Sequence, residues 1–143
     1  MKKILIADDH YILRKGLKHI LTDEYGSVEF GEAENGLEAL EKVKEKNWDI
    51  FILDINMSLM SGLEVLKKLK EEGIKVPVLV LSMHPEDQVA IHVLKLGAFG
   101  YLTKEAADAE LINAVNKILN NQKYISPSVA VQLLNQLDNF EST

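Results

Sequence analysis

The chain contains no cysteine in its 143 residues, which excludes disulfides, thiolate nucleophiles and zinc–cysteine centres. That absence fits a reducing cytoplasm. No apolar run approaches the ~20 residues a membrane span requires, so no membrane partner is expected. No dense basic run is present either, and the formal net charge is −6. Such a balance gives this chain no means of binding nucleic acid or an anionic membrane non-specifically. Tandem repeats and low-complexity segments are also missing. The opening MKKILIADDH is too short for a secretory signal, and acids follow where a cleavage site would lie. It reads as the first strand of a cytosolic domain.

What is present is an ordinary globular composition, 47% hydrophobic and 27% charged, enough for one domain with a real core. Apolar runs at 3–7, 28–33, 50–53, 77–81 and 98–102 read as five strands. Segments of helical period lie between them. Ile12, Leu13, Leu17, Ile20 and Leu21 share one stripe, and Leu37, Leu40 and Val43 a second. Leu63, Leu66 and Leu69 share a third, Val89, Val93 and Leu96 a fourth, and Leu111, Val115, Ile118 and Leu119 a fifth. Near-continuous apolar strands alternating with helices imply a parallel sheet covered on both faces. The expected fold is therefore α/β, a (βα)5 doubly wound, flavodoxin-like three-layer sandwich with strand order 2-1-3-4-5. Asn35-Gly36, Gly73 and Pro85 supply turn and cap chemistry at helix ends. Beyond the fifth helix, YISPSVAVQLLNQL (124–137) predicts an extra C-terminal helix. Ser126 would cap it, Pro127 would open it, and Val129, Leu133 and Leu137 would share a face. Lys123 is the last basic residue, so the tail has no electrostatic footprint for DNA.

Ligands of open parallel sheets bind beyond the carboxyl ends of the strands. Strand one ends at Asp8-Asp9, strand three at Asp54, strand four at Ser82 and strand five just before Lys104. Singly, each has a plain structural reading: a helix cap, a loop acid, a strand-end hydroxyl, a solvated lysine. Together they form a site. Crowded carboxylates repel and raise one another's pKa unless a cation neutralises them. An all-oxygen donor set suits a hard ion such as Mg²⁺. With Lys104 on the other side of Asp54, that carboxylate would stay ionised and act as a nucleophile toward phosphorus. Metal and lysine would stabilise the transferring phosphoryl group, with Ser82 donating a hydrogen bond to it.

The pieces DD (8–9), D-x-x-M from Asp54 to Met57, Gly62, LS (81–82) and GAFGYLTK (97–104) stand in order at suitable spacing. On them, residues 2–121 resemble the receiver domain of two-component response regulators. The resemblance implies that Asp54 is the phosphoacceptor. It implies that Mg²⁺ is held by Asp9, Asp54 and the backbone carbonyl of Asn56, with Asp8 assisting through water. Ser82 would be the switch hydroxyl, Tyr101 the aromatic that turns inward as it moves, and Lys104 the partner of the phosphate. Asn56 and His84 match positions that tune phosphoryl lifetime. His10, His19 and His92 read as surface residues.

Two residues depart from the family's pattern. Ser58 replaces the usual proline after the methionine, so a less rigid loop is expected. Glu105 replaces the proline after the lysine, a substitution common in the NarL/FixJ (LuxR-type) subgroup, where similar tails also occur. The expected division is a receiver domain over 1–123 and a helix with linker over 124–143. The helix-turn-helix DNA-binding domain usual in that subgroup is absent from this chain. The reading is a receiver fragment of a transcription factor, the alternative a single-domain regulator acting through protein contacts. The implied donor is a sensor histidine kinase and the implied partner a second copy, joined on phosphorylation. The chain would be a phosphoacceptor, self-phosphorylating from phosphodonors and dephosphorylating itself, rather than an enzyme.

Three other classes compete with this reading. An aspartyl-nucleophile phosphohydrolase of the haloacid-dehalogenase type carries D-x-D-x-T on its first strand, whereas Asp54 is on the third and is followed by Asn56. A flavin or nucleotide module needs a glycine- or hydroxyl-rich loop after strand one, where ADDHYILRKG offers acids. A purely structural domain would lack Mg²⁺ affinity.

Overall fold

The computed structural model describes residues 1–83, 87–126, 129–131 and 133–135. Strands β1 (Lys2–Ala7), β2 (Val28–Ala33), β3 (Ile50–Asp54), β4 (Val78–Ser82) and β5 (Gly100–Thr103) alternate with helices. These are α1 (Tyr11–Tyr25), α2 (Gly36–Val43), α3 (Gly62–Glu71), α4 (Asp87–Lys95) and α5 (Ala107–Leu119). The strands form one parallel sheet in the order β2-β1-β3-β4-β5. The expected doubly wound sandwich is what the chain builds.

Side chains alternate across the sheet with period two and feed two apolar layers. Ile4, Ile6, Ile50, Ile52, Leu79 and Leu81 pack with Leu17, Leu21, Leu111 and Val115 under α1 and α5. Leu5, Phe51, Leu53 and Val80 pack with Ala39, Val65, Leu66 and Val93 under α2, α3 and α4. All five residues of β3 are buried, as a central strand covered on both faces requires.

Register carries the polar ends to one edge. Ala7 pairs with both Ala33 and Leu53, so Asp8 leaves the sheet level with Asp54. Asp54 pairs with Leu81, and Ser82 with Thr103. Asn35 caps α2 by accepting from the Glu38 N–H at 2.9 Å, and Ser61 caps α3 by accepting from Glu64. Gly73 ends α3 in the left-handed region at φ 67°.

Three expectations need correction. Strand β5 begins at Gly100 rather than residue 98, because the Ala98 N–H still bonds the Val93 carbonyl at the end of α4. Ile12 is 78% exposed and lies off the buried stripe of α1, whose places are taken by Arg14, Leu17 and Leu21. Leu37 is exposed as well, and Ala39 takes its place on the buried face of α2.

After α5 the chain crosses the free edge of β5. The Tyr124 N–H bonds the Phe99 carbonyl at 2.8 Å, and Tyr124 forms a parallel bridge with Gly100. Its ring is buried in the α1/α5 layer, and its hydroxyl bonds Glu110 at 2.9 Å. Residues 129–131 and 133–135 are helical, and Ser126 accepts from the Val129 N–H as expected of a cap. Val129 is buried in the opposite, α4-side layer, with Leu133 against it. Pro85, Pro127 and Leu137 fall outside the described residues.

Candidate functional site

Asp54 ends the buried strand β3 and is 0% exposed. Its Oδ1 accepts from the Asn56 N–H at 3.1 Å, and its Oδ2 from Lys104 Nζ at 3.1 Å. Burial is the main force pushing its pKa up. The Asn56 hydrogen bond opposes that, the charge of Asp8 adds to it, and Lys104 counters. The carboxylate is held in a place where its charge is costly and is only partly compensated.

Asp8 is 1% exposed and brings a second carboxylate to the same ammonium, with Oδ2 3.1 Å from Lys104 Nζ. That oxygen has no hydrogen bond of acceptable geometry despite the short distance, so the contact is an ion pair only. Lys104, 8% exposed, therefore bridges the two acids. Lys104 is expected on the other side of Asp54, and it reaches Asp8 as well. Lys104 follows β5 by one residue, and its N–H continues the ladder to β4 by bonding the Ser82 carbonyl.

Asp9 is half-exposed at the rim. His10, read from sequence as an ordinary surface residue, is exposed, but its Nδ1 lies 3.0 Å from Asp8 Oδ1 and 2.9 Å from Asp9 Oδ1. Its N–H also bonds Asp8 Oδ1 at 2.8 Å. Asp8, Asp9, His10 and Asp54 each place one ligand atom within 4.8 Å of the others. The carboxylates are hard oxygen donors, and the buried Asp8 Oδ2 is met only by the Lys104 ion pair, with no hydrogen bond. The residues present fit a divalent ion such as Mg²⁺.

Ser82 is buried at the end of β4, and Tyr101 is buried in β5 within the α4-side layer. By the period of two they share one pleat phase, whereas Asp8, Asp54 and Lys104 share the other. Asn56 is exposed and turns its N–H toward Asp54. His84 lies outside the described residues.

The loop after β3 is tied down through its backbone. The Ser58 carbonyl accepts from the Gly36 N–H at 3.4 Å and from Met60 at 2.7 Å, around Leu59 at φ 67°. That anchoring uses the carbonyl, a group Ser58 has in common with proline. Gly62 is needed because any Cβ there would stand 2.5 Å from the Asp54 carbonyl oxygen. Helix α3 can then begin directly behind the strand end.

The missed residue is Arg14. Its Nη1 donates to the Asp8 carbonyl at 2.6 Å and its Nε to Glu32 at 3.0 Å. The available signal was its spacing: positions 14, 17 and 21 share a helical face, so a charge there needed a buried partner.

A flavodoxin-like sheet with a carboxylate, an acidic pair, a lysine and a hydroxyl gathered at its carboxyl edge defines a phosphoacceptor class of signalling domain. Within that class the chain belongs to the response regulator receiver domain family, whose model matches residues 4–116. It is 39% identical over 134 residues to the transcriptional regulatory protein DegU of Brevibacillus brevis, covering 94% of this chain and 57% of that protein. It is 35% identical over 133 residues to the response regulator GacA of Pseudomonas syringae pv. syringae (strain B728a), covering 93% and 62%. The chain thus spans about three fifths of the length of these curated relatives. Among solved structures, a LuxR-family two-component response regulator from Aurantimonas sp. SI85-9A1 superposes with TM-score 0.84 at 28% identity, over 94% of this chain and 96% of that one. The receiver domain of the putative response regulator NarL from Mycobacterium tuberculosis gives 0.77 at 31%, over 85% and 98%. Among the described residues no helix is long and apolar enough to cross a membrane.

Proposed function

We propose that the chain is a phosphorylation-dependent switch of a two-component system, with Asp54 the phosphoacceptor. The observation that carries this is the Asp54 carboxylate itself, fully buried at a strand end yet fixed by Lys104 and the Asn56 N–H beside Asp8. One Asp54 oxygen attacks the phosphorus of a phosphohistidine on a sensor kinase, or of a small acyl phosphate. The bond to the leaving nitrogen or oxygen breaks, and the departing imidazole takes its proton from solvent. Lys104 then pairs with a phosphoryl oxygen and Ser82 donates a hydrogen bond to another. Asp9, Asp54 and the Asn56 carbonyl would hold Mg²⁺, with Asp8 assisting through water. Bound there, Mg²⁺ neutralises the charge gathered by the acids and the phosphoryl group.

The added charge, about −1.5 to −2, is read through Ser82 and Tyr101. Movement of Ser82 and Tyr101 repacks the α4–β5–α5 surface, and a partner that binds one packing better shifts the population. That partner is a second copy, and the output is transcription through a helix-turn-helix domain in a longer parent. Residues 1–123 form the receiver domain and 124–143 the helix and linker. Asn56 and His84 tune the phosphoryl lifetime through autodephosphorylation. The chain works in the cytoplasm, binds no DNA itself and turns over no substrate of its own.

The test is incubation with acetyl phosphate and Mg²⁺ followed by intact mass measurement. One added phosphoryl group in the wild type and none in Asp54→Asn is the expected result. Continuing phosphate release without stoichiometric labelling would overturn the reading in favour of a hydrolase. Sizing with and without beryllofluoride checks dimerisation, and an unchanged monomer would remove that part.

A further inference from the structure

Arg14 is a buried cation that the phosphoryl chemistry does not use. Its side chain is 6% exposed, on the face of α1 that otherwise carries Leu17 and Leu21. Burying a guanidinium costs several kcal/mol of desolvation, and an apolar residue would continue the stripe without that cost. Stability alone gives no reason for an arginine here. Its bonds do. Nη1 donates to the Asp8 carbonyl at 2.6 Å, while Nε donates to Glu32 Oε1 at 3.0 Å. Lys18 holds the other Glu32 oxygen at 2.9 Å, and Glu34 lies 3.6 Å from Nη2.

The Asp8 peptide is thereby gripped from both ends. Its N–H bonds the Ala33 carbonyl at 3.0 Å, and its C=O is held by Arg14. Both anchors lead to the end of β2, where Ala33 and Glu32 are neighbours. What remains to Asp8 is a carboxylate fixed in direction, with Oδ2 buried and lacking a hydrogen bond. We infer that Arg14, oriented by Glu32, is a positioning residue that presets the Asp8–Asp9 turn for a divalent cation. The inference rests on the Mg²⁺ reading given above and extends it to a residue that touches neither metal nor phosphate. The fork matters as much as the charge, because a lysine ammonium cannot donate along two fixed directions to Asp8 and Glu32.

Outer-shell partners of metal ligands are worth 10–100-fold in affinity. The experiment titrates the wild type, Arg14→Lys, Arg14→Met and Glu32→Gln with Mg²⁺ by calorimetry and with Mn²⁺ by electron paramagnetic resonance. Acetyl phosphate labelling rates are then measured against Mg²⁺ concentration. The expected result is a Kd raised about 10-fold or more in both Arg14 variants, with Glu32→Gln between them and the wild type. Half-saturating Mg²⁺ for labelling should rise in parallel, with the rate at saturation within about twofold of wild type. Glu32→Gln and Arg14→Lys carry the test should Arg14→Met fail to fold. Unchanged affinity in those two variants overturns the inference, as does an Arg14→Lys indistinguishable from wild type. A wild type that binds neither ion would instead sink the metal reading on which it rests.

Discussion

The two pleat phases at the carboxyl edge of the sheet are built on different physics. On the α1/α5 side, Asp8, Asp54 and Lys104 are buried charges whose positions are fixed by ion pairs and by hydrogen bonds to Asn56, His10 and Arg14. On the α4 side, Ser82 and Tyr101 sit at the border of an apolar layer that includes Val93 and, from the crossing C-terminal segment, Val129. Directional, charged contacts hold a side chain in one place. On the α4 side the packing layer is apolar, so truncating a side chain there removes contact area rather than the partner of a charge. The lesson is that the two faces of one sheet edge are held by different forces, ion pairs on one and apolar packing on the other.

The strongest way to break that division is Lys104→Met. It removes the only cation within salt-bridge distance of both acids among the described residues, leaving two carboxylates buried together. The expected loss is about 3 kcal/mol in urea denaturation without divalent ions, the lower range for breaking a buried pair. Saturating Mg²⁺ should recover part of it by binding the folded state alone. A loss that Mg²⁺ leaves untouched would mean that Lys104 holds the fold rather than the charge.

Val129→Ala probes the other side. Removing its two methyls from the buried α4-side layer should cost about 1.6 kcal/mol at ~0.8 per carbon group. Mg²⁺ affinity, measured by calorimetry, should stay within about twofold of wild type. A matching fall in both quantities would show that the two sides are not separate.

Much of this was legible in advance, and the rest failed for identifiable reasons. Period and apolar runs gave the strands to within two residues, and the ends of parallel strands carried Asp8, Asp54, Ser82 and Lys104 to one edge. What periodicity does not carry is which neighbours a side chain meets across the sheet. Lys104 bridges Asp8 and Asp54, which stand at the ends of two other strands. Arg14 was hidden because its partner Glu32 lies on another element, 18 positions along. Ile12 misled because one apolar residue beside a stripe looks like part of it, whereas the buried face runs 14, 17, 21. His10 reads in sequence as a surface residue, yet its neighbours in space are the acids just before it.

A smaller change, and of opposite sign, is expected for Asp54→Asn. Burial raises the Asp54 pKa, so ionising it disfavours the folded state. That penalty is present above the folded pKa and disappears as pH falls below the ordinary carboxylate value. The neutral variant should therefore melt at a higher temperature than wild type near pH 7 without Mg²⁺, and the gap should close on acidification. Calorimetry from pH 7 down to pH 4 checks the sign. A variant less stable at pH 7 would show that the Lys104 and Asn56 contacts outweigh burial.

The finest distinction lies where the chain passes from one side of the sheet to the other. Tyr124 straps the edge of β5 with its backbone and anchors in the α5 layer through its hydroxyl bond to Glu110. Burial first, then the Glu110 bond and charge, push its pKa up to about 12 from 10.0. The folded state thus holds this proton more tightly than the unfolded chain. Stability from the group is complete below pH 10 and drains away as pH rises through about 12. Tyr124→Phe keeps the ring and loses the bond, so it should cost about 1 kcal/mol at neutral pH. It should also flatten the alkaline limb of the stability curve, because no proton remains to be lost. Equal alkaline slopes in the two proteins would mean that the hydroxyl is not held, and that the strap is fastened by its backbone and ring alone.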